Sequence, residues 1–270
     1  MLRMTSDRPG WAPESIDLDR PNAARIYDYL LGGAANFETD RVFADKLLEI
    51  MPGARTAARL NRAFLRRAVR FCVSAGITQF LDIGSGVPTV GNVHEIAPAA
   101  KVLYVDNEPV AVTHSELLLR DNPNASVMLG DLTDPDPILA TGIIDFTQPV
   151  ALLMVAVLHF IPEDDRPHEA VAQYVSALPS GSYVVLSHGA ERSTTPSDVD
   201  RLYETSANPG VRRTPDEIRS FFAGLEFVEP GLVWTPEWRP DSPDEEIDDP
   251  ESALVLAGVA RKASPPPRIF

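Results

Sequence analysis

Phe80-Leu81-Asp82-Ile83-Gly84-Ser85-Gly86 carries the firmest structural instruction in this 270-residue chain. An apolar run of strand length, Gln79–Ile83, feeds into glycines, which let the backbone approach a ligand beside the N-terminus of the next helix. A second apolar run, Lys101–Asp106, closes on an aspartate 20 residues after Gly86. The texture then repeats, with strands predicted at Ser126–Gly130, Val150–Val155, Ser182–Ser187, Glu226–Val233 and Ala253–Ala260. Helices fit between most of them, at Val110–Asn122, Arg166–Ala177 and Pro215–Gly224. The last has Thr214 as cap, Pro215 at its first position and Asp216-Glu217 in its first turn. Strand alternating with helix means a parallel sheet with right-handed crossovers. The final two strands are joined by an acidic, Pro-rich loop with no evident helix, so the last strand is expected to return antiparallel. The expected fold is α/β: seven strands, mostly parallel, over residues 76–262.

Upstream the pattern is purely helical. Ala23–Leu31 carries Ile26, Tyr27, Leu30 and Leu31 at helical spacing and stops at Gly32-Gly33. Thr39–Met51 places Val42, Phe43, Leu47 and Leu48 on one side, and a third helix runs from Ala54 to Ala75 before Gly76. Residues 21–75 are therefore expected to form a helical cap. Residues 1–20 read as a loose arm and 263–270 as a tail.

Composition narrows the function. Thirty-nine Asp and Glu against 24 Lys and Arg leave a net charge of −15, a field that repels phosphate backbones. Nucleic acid is not an expected partner, and Arg62, Arg66, Arg67 and Arg70 read as a solvated helix face. The lone cysteine, Cys72, sits in an apolar helical context and reads as a small core residue. No leader-like run opens the chain, and the longest apolar stretch, Val150–Ile161, is too short for a bilayer. A cytoplasmic protein without membrane contact is the expectation. The five histidines are scattered without ligand spacing, so no metal is expected.

Asp106 is placed to accept the two hydroxyls of an adenosine ribose, which nicotinamide dinucleotides and S-adenosylmethionine share. Three features separate these ligands. The third fingerprint position, where a dinucleotide fold wants Gly or Ala, holds Thr89. Asp82 directly before the glycines would repel a pyrophosphate but can hold a water or an ammonium. Asp131, in Gly130-Asp131-Leu132 after the third strand, can accept from an adenine amino group. Acids flanking the pocket suit a cationic sulfonium better than an anionic dinucleotide.

The spacing Asp82-x-Gly84-x-Gly86, Asp106, Asp131-Leu132, with an antiparallel last strand, resembles the class I S-adenosylmethionine-dependent methyltransferases. The run Arg20-Pro21-Asn22-Ala23-Ala24-Arg25-Ile26-Tyr27-Asp28-Tyr29-Leu30-Leu31-Gly32-Gly33 is a narrower signature. With Asn61-Arg62-Ala63-Phe64-Leu65 and Val157-Leu158-His159-Phe160, it resembles an S-adenosyl methyltransferase family long catalogued as a domain of unknown function. The resemblance implies a Rossmann-like fold and S-adenosylmethionine as cofactor, and brings no established substrate. It puts Gly84, Ser85 and Gly86 against the methionine moiety, Asp106 on the ribose, and Asn107, Asp131 and Leu132 about the adenine.

Other candidates follow from position. His159 after the fourth strand and His188 after the fifth stand at carboxyl ends of strands, where a base, a substrate anchor or a loop buttress is equally at home. Asn61 and Arg62 can reach a methionine carboxylate. Residues 21–37 read as a lid over the cofactor, with Arg25 and Tyr29 on one helical face and Asn36 beyond the glycines. Trp234 and Trp238 read as a loop pinned to the body or as a wall for an acceptor. The Asn/Asp-Pro-Pro-aromatic signature of amino-nitrogen methylation is absent, so a small-molecule oxygen or nitrogen acceptor is expected. Two rivals stand beside this reading: a protein that senses S-adenosylmethionine without catalysis, and a nicotinamide oxidoreductase, disfavoured by Thr89 and the lack of a Tyr-x-x-x-Lys pair.

Overall fold

A computed structural model of the chain describes residues 16–89, 91–191, 198–242 and 248–264. Residues 1–15 and 265–270, most of the expected arm and tail, lie outside the described residues. Among the described residues eight strands are present: β1 Gln79–Ile83, β2 Lys101–Asp106, β3 Ala125–Leu129, β4 Ala151–Val155, β5 Tyr183–Gly189, β6 Glu226–Phe227, β7 Val233–Trp234 and β8 Val255–Arg261. The helices are α1 Ala23–Leu31, α2 Glu38–Ile50, α3 Ala54–Ser74, α4 Val93–Ile96, α5 Pro109–Leu119, α6 Pro135–Leu139, α7 Pro167–Ala177, α8 Asp198–Tyr203 and α9 Pro215–Ser220.

The sheet runs β3-β2-β1-β4-β5-β8-β6, with β7 also on β8. β1 to β5 are mutually parallel, and β8 lies antiparallel to β5. The expected sixth strand is split. Pro230 has no amide to donate and Gly231 takes φ +94°, so the chain turns between β6 and β7, which both pair antiparallel with β8.

Both faces of the sheet are covered, which is why its strands read as continuous apolar runs. Leu81, Ile83, Leu103, Val105, Leu152 and Met154 pack towards α6, α7 and α9. Phe80, Val102, Ala151 and Leu153 pack the other way, against Phe64, Leu65, Ala68 and Cys72 of α3. Burial pushes the Cys72 thiol up to about 12, so it fills space rather than reacts.

α1, α2 and the start of α3 form the cap, with a core of Ile26, Leu30, Phe43, Leu47 and Ala58 that also takes Val199 from α8. The glycine pair after α1 has two separate causes. Gly32 caps the helix at φ +86°. At Gly33 a Cβ would lie 1.9 Å from Asp28 Oδ1, whose partner oxygen accepts from the Ala35 amide and Asn36 Nδ2.

The cap is fastened by Arg25, which is 1% exposed. Its Nε pairs with Asp40 at 2.9 Å and its Nη1 with Glu108, beyond β2, at 3.1 Å. Its Nη2 donates to the carbonyls of Arg20 and Asp17. Residues 16–20, expected to end a loose arm, are instead held here, with Ile16 buried and the Leu18 carbonyl bonded by Thr39. Arg25→Ala should lower unfolding free energy in urea by about 3–5 kcal/mol, because two buried carboxylates lose their counter-charge. Arg25→Lys should recover only part of it, since an ammonium lacks the guanidinium fork.

Candidate active site

The order reversal between β1 and β4 opens a crevice at the carboxyl ends of the strands. Gly84 follows β1 with φ +70°, and a Cβ there would lie 2.3 Å from Val157 Cγ2. The position is glycine both for its backbone and for the close approach of the β4 loop. The amides of Gly84 and Ser85 donate to the Val105 carbonyl at 2.8 and 3.2 Å. Gly86 N–H donates to Asp106 Oδ2 at 2.7 Å, and Glu108 N–H to Asp106 Oδ1 at 2.8 Å. A carboxylate accepts about four bonds, so Asp106 keeps acceptor capacity after fixing the glycine turn.

Charge is concentrated on this side. Burial pushes Asp82 up to about 7, against the pull of Arg62 and helped by the charge of Asp106. Burial also raises Asp106. Arg62 donates through Nη2 to the Gly91 carbonyl at 3.2 Å, while its buried Nε makes no hydrogen bond. Asp131 and Asn107 stand exposed at the rim, and Leu132 is buried beneath them. Asp131 Oδ1 accepts from the amide and hydroxyl of Thr133.

The end of β4 carries a conformation that the sequence does not announce. Ala156 has φ +57°, a strained region for a residue with a Cβ. Its amide donates to the carbonyl and hydroxyl oxygens of Ser187 at 3.1 and 3.0 Å. Ser187 Oγ donates to Asn61 Oδ1 at 2.6 Å, Asn61 Nδ2 donates to the Tyr27 oxygen at 3.0 Å, and Tyr27 donates to the Ala58 carbonyl. This chain of bonds ties the strand ends to the cap.

The two candidate histidines part company. His159 lines the cleft; burial holds it well below its ordinary range, and its Nδ1 makes no hydrogen bond. His188 is fully buried and does not line the cleft. Its Nδ1 bonds the Gly189 carbonyl at 2.7 Å and its Nε2 lies 2.9 Å from Arg213 Nη1. An arginine nitrogen only donates, so Nε2 is the acceptor and His188 is neutral, in keeping with a titration point lowered to about 4 by burial. Arg213 also grips the carbonyls of Leu158 and Ile161 and the Glu163 carboxylate. His188 thus buttresses the His159 loop from outside the cleft.

All of Asp82, Gly84, Ser85, Gly86, Asp106, Asn107, Asp131, Leu132, Asn61, Arg62 and His159 line one cleft of about 480 Å³. That size is ordinary for a small-molecule or cofactor site. Asn61 Oδ1 and one Nδ2 hydrogen are used inside the protein, while the Arg62 Nε–H on that wall makes no hydrogen bond. α1 does cover the cleft, but with Ile26, Tyr27 and Leu30. Arg25, Tyr29 and Asn36 are not in the cleft wall: Arg25 is turned to its carboxylates, the Tyr29 hydroxyl meets Asp45, and Asn36 meets Asp28. Tyr27 was concealed by sequence alone, because helix spacing gives the faces but not which one meets the strand ends.

The tryptophan loop and Arg67 are structural. Trp238 is fully buried against Phe64 and Phe71, with its carbonyl bonded by Arg67 Nε at 2.9 Å. Arg62 and Arg67 are therefore packed inward rather than solvated. Among the described residues no three His, Cys, Asp or Glu gather as a metal site, and no helix is long and apolar enough to cross a membrane.

A family model described as S-adenosyl methyltransferase matches residues 9–263. The chain belongs to the S-adenosyl methyltransferase family. S-Adenosylmethionine is accordingly its cofactor, and methyl transfer its class of reaction. A Thermobifida fusca crystal structure named as a candidate methyltransferase is 41% identical and superposes with TM-score 0.88, covering 94% of this chain and all of that one. A DUF574 family protein from Streptomyces avermitilis is 37% identical, with TM-score 0.85 over 91% of this chain and 99% of its own. The N-methyltransferase NodS from Bradyrhizobium japonicum, in complex with S-adenosylhomocysteine, shares the fold at 16% identity and TM-score 0.51, covering 88% and 98% of the two chains. Among curated proteins none matches the sequence.

The raised Asp82 makes a prediction for this methyltransferase. Between about pH 4 and 7 the folded protein holds a proton that the unfolded chain has released, so stability falls as pH rises through that window. Asp82→Asn should remove this decline and unfold at higher urea than the parent at pH 8, by roughly 2–4 kcal/mol. Parallel curves for the two proteins from pH 4 to 8 would show that Asp82 is not the group responsible.

Proposed function

We propose that the cleft holds S-adenosylmethionine across the Gly84 turn and that its methyl group passes to a small-molecule oxygen or nitrogen presented from the cap side. The observation that carries this is the meeting, in one cleft, of a glycine turn with no room for a Cβ and buried polar atoms without partners. Ser85 Oγ, Arg62 Nε and His159 Nδ1 are among those atoms. The residues therefore fit the cofactor. Asp106 would take the ribose hydroxyls with its remaining acceptor capacity. Asp131, Leu132 and Asn107 would surround the adenine. Arg62 would meet the methionine carboxylate, and ionised Asp82 the ammonium.

Bound cofactor supplies an electrophilic methyl on sulfur that is already a good leaving group. The protein's share is alignment and exclusion of water, which can contribute about 7–11 kcal/mol in favourable cases. His159, neutral because it is buried, would accept a proton from an acceptor that must lose one.

Calorimetry should show S-adenosylmethionine binding with NAD and NADP silent; tight NAD binding would reject the assignment of the cleft. Asp106→Ala should cost about 1–3 kcal/mol of affinity without unfolding the protein. The affinity should climb as pH rises towards 7, by at most about tenfold per pH unit, and level off above it, because the cation requires Asp82 ionised. Asp82→Asn should flatten that dependence. Incubation of labelled cofactor with metabolite extract should transfer label to a small molecule.

A further inference from the structure

The cleft has two chemically different halves. The strand-end half carries Asp82, Asp106, Asp131 and Arg62. The cap half is lined by Ile26, Leu30, Leu47, Met51, Ala54 and Val199. Three rings, Tyr27, Phe160 and Tyr203, face the same space. Such a chamber rejects a charge, which would lose its water and gain no partner. Several polar groups beside it are committed elsewhere. The Tyr27 hydroxyl is bonded to Ala58 and Asn61, Asn208 accepts from the Ala23 amide, and Asp200 pairs with Arg212 at the rim, 2.6 Å apart. His159 also borders it, and its buried Nδ1 makes no hydrogen bond.

We propose that the methyl acceptor is an uncharged aromatic molecule with a phenolic hydroxyl, seated in the cap chamber with that hydroxyl towards His159. Resting on the methyltransferase reading above, this names its substrate class. The rings favour an aromatic partner, which stacks on them edge-on or offset. An alkylamine would enter as a cation and meet no carboxylate among these apolar and aromatic side chains, only Asp165 and Asp200 at the exposed rim. An aliphatic hydroxyl holds its proton too firmly for a histidine weakened by burial, whereas a phenol releases it near pH 10. In the transfer, a lone pair of the phenolic oxygen forms the O–CH3 bond as the S–CH3 bond breaks, and that bond's electron pair stays on sulfur. The hydroxyl proton passes to neutral His159. The products are an aryl methyl ether and S-adenosylhomocysteine.

Naphthol, hydroxynaphthoic acid and naphthylmethylamine, titrated into the full chain by fluorescence with and without S-adenosylhomocysteine, test this directly. Naphthol should bind at least about tenfold more tightly than either charged analogue. With labelled cofactor, label should appear in naphthyl methyl ether. Met51→Lys should weaken naphthol about tenfold while S-adenosylhomocysteine affinity stays within about twofold. If Met51→Lys fails to fold, Tyr203→Leu should give a smaller loss of the same kind. Charged analogues that bind as well as naphthol, or naphthol that does not bind to a protein that binds S-adenosylhomocysteine, would overturn the proposal. Naphthol binding without any S-adenosylhomocysteine binding would instead strike at the cofactor assignment and uphold the chamber's chemistry.

Discussion

Arg25 sits where three parts of the chain would otherwise separate. One guanidinium reaches Asp40 on α2, Glu108 after β2 and the carbonyls of the segment leading into α1. Burying that charge is costly unless every donor finds an acceptor, and here each bonded nitrogen meets a carboxylate or a carbonyl. The geometry so imposed turns Ile26, Tyr27 and Leu30 towards the strand ends. Glu108 in turn gives its amide to Asp106, which also holds the Gly86 amide. The position of the cap and the shape of the glycine turn are thereby coupled through Asp106 at the end of β2 and Glu108 just after it.

The cleft sorts its chemistry by origin. The acids Asp82, Asp106 and Asp131 come from strand ends, where the doubly wound topology gathers them, and most of the apolar surface comes from the cap helices, joined by Phe160, Val199 and Tyr203. Between the two stand His159 and the strained Ala156. The Ala156 turn is held by Ser187, which Asn61 and Tyr27 connect to α3 and α1. Arg213 does the same service from below, pinning the His159 loop through Leu158, Ile161 and Glu163 with neutral His188 as its acceptor.

What was legible in the sequence was whatever depends on chain-local patterns. β1 and β2 lie where their apolar runs put them, because a strand buried on both faces is continuous in sequence. Gly84, Asp106 and Asp131 were legible as cleft residues because topology fixes where strand ends lie. The break between β6 and β7 was written in Pro230-Gly231, a signal an otherwise apolar run obscured. Arg25 and Tyr29 were misplaced because a helix face has no meaning until its partner is known, and Asp40 and Glu108 are distant in sequence. His188 and His159 are equivalent as strand-end histidines; only Arg213, 25 residues beyond His188, distinguishes them.

A cap fastened by a buried ion pair is expected to be a standing wall of the site rather than a segment that orders around the cofactor. Hydrogen exchange of the peptide spanning Ala23–Leu31, with and without S-adenosylhomocysteine, tests this most directly. A fixed wall predicts slow exchange in both states, with protection gained on binding confined to the turn at Gly84–Val87. Fast exchange in the free protein that slows strongly with ligand would contradict it, and would make Arg25 a latch that forms on closure.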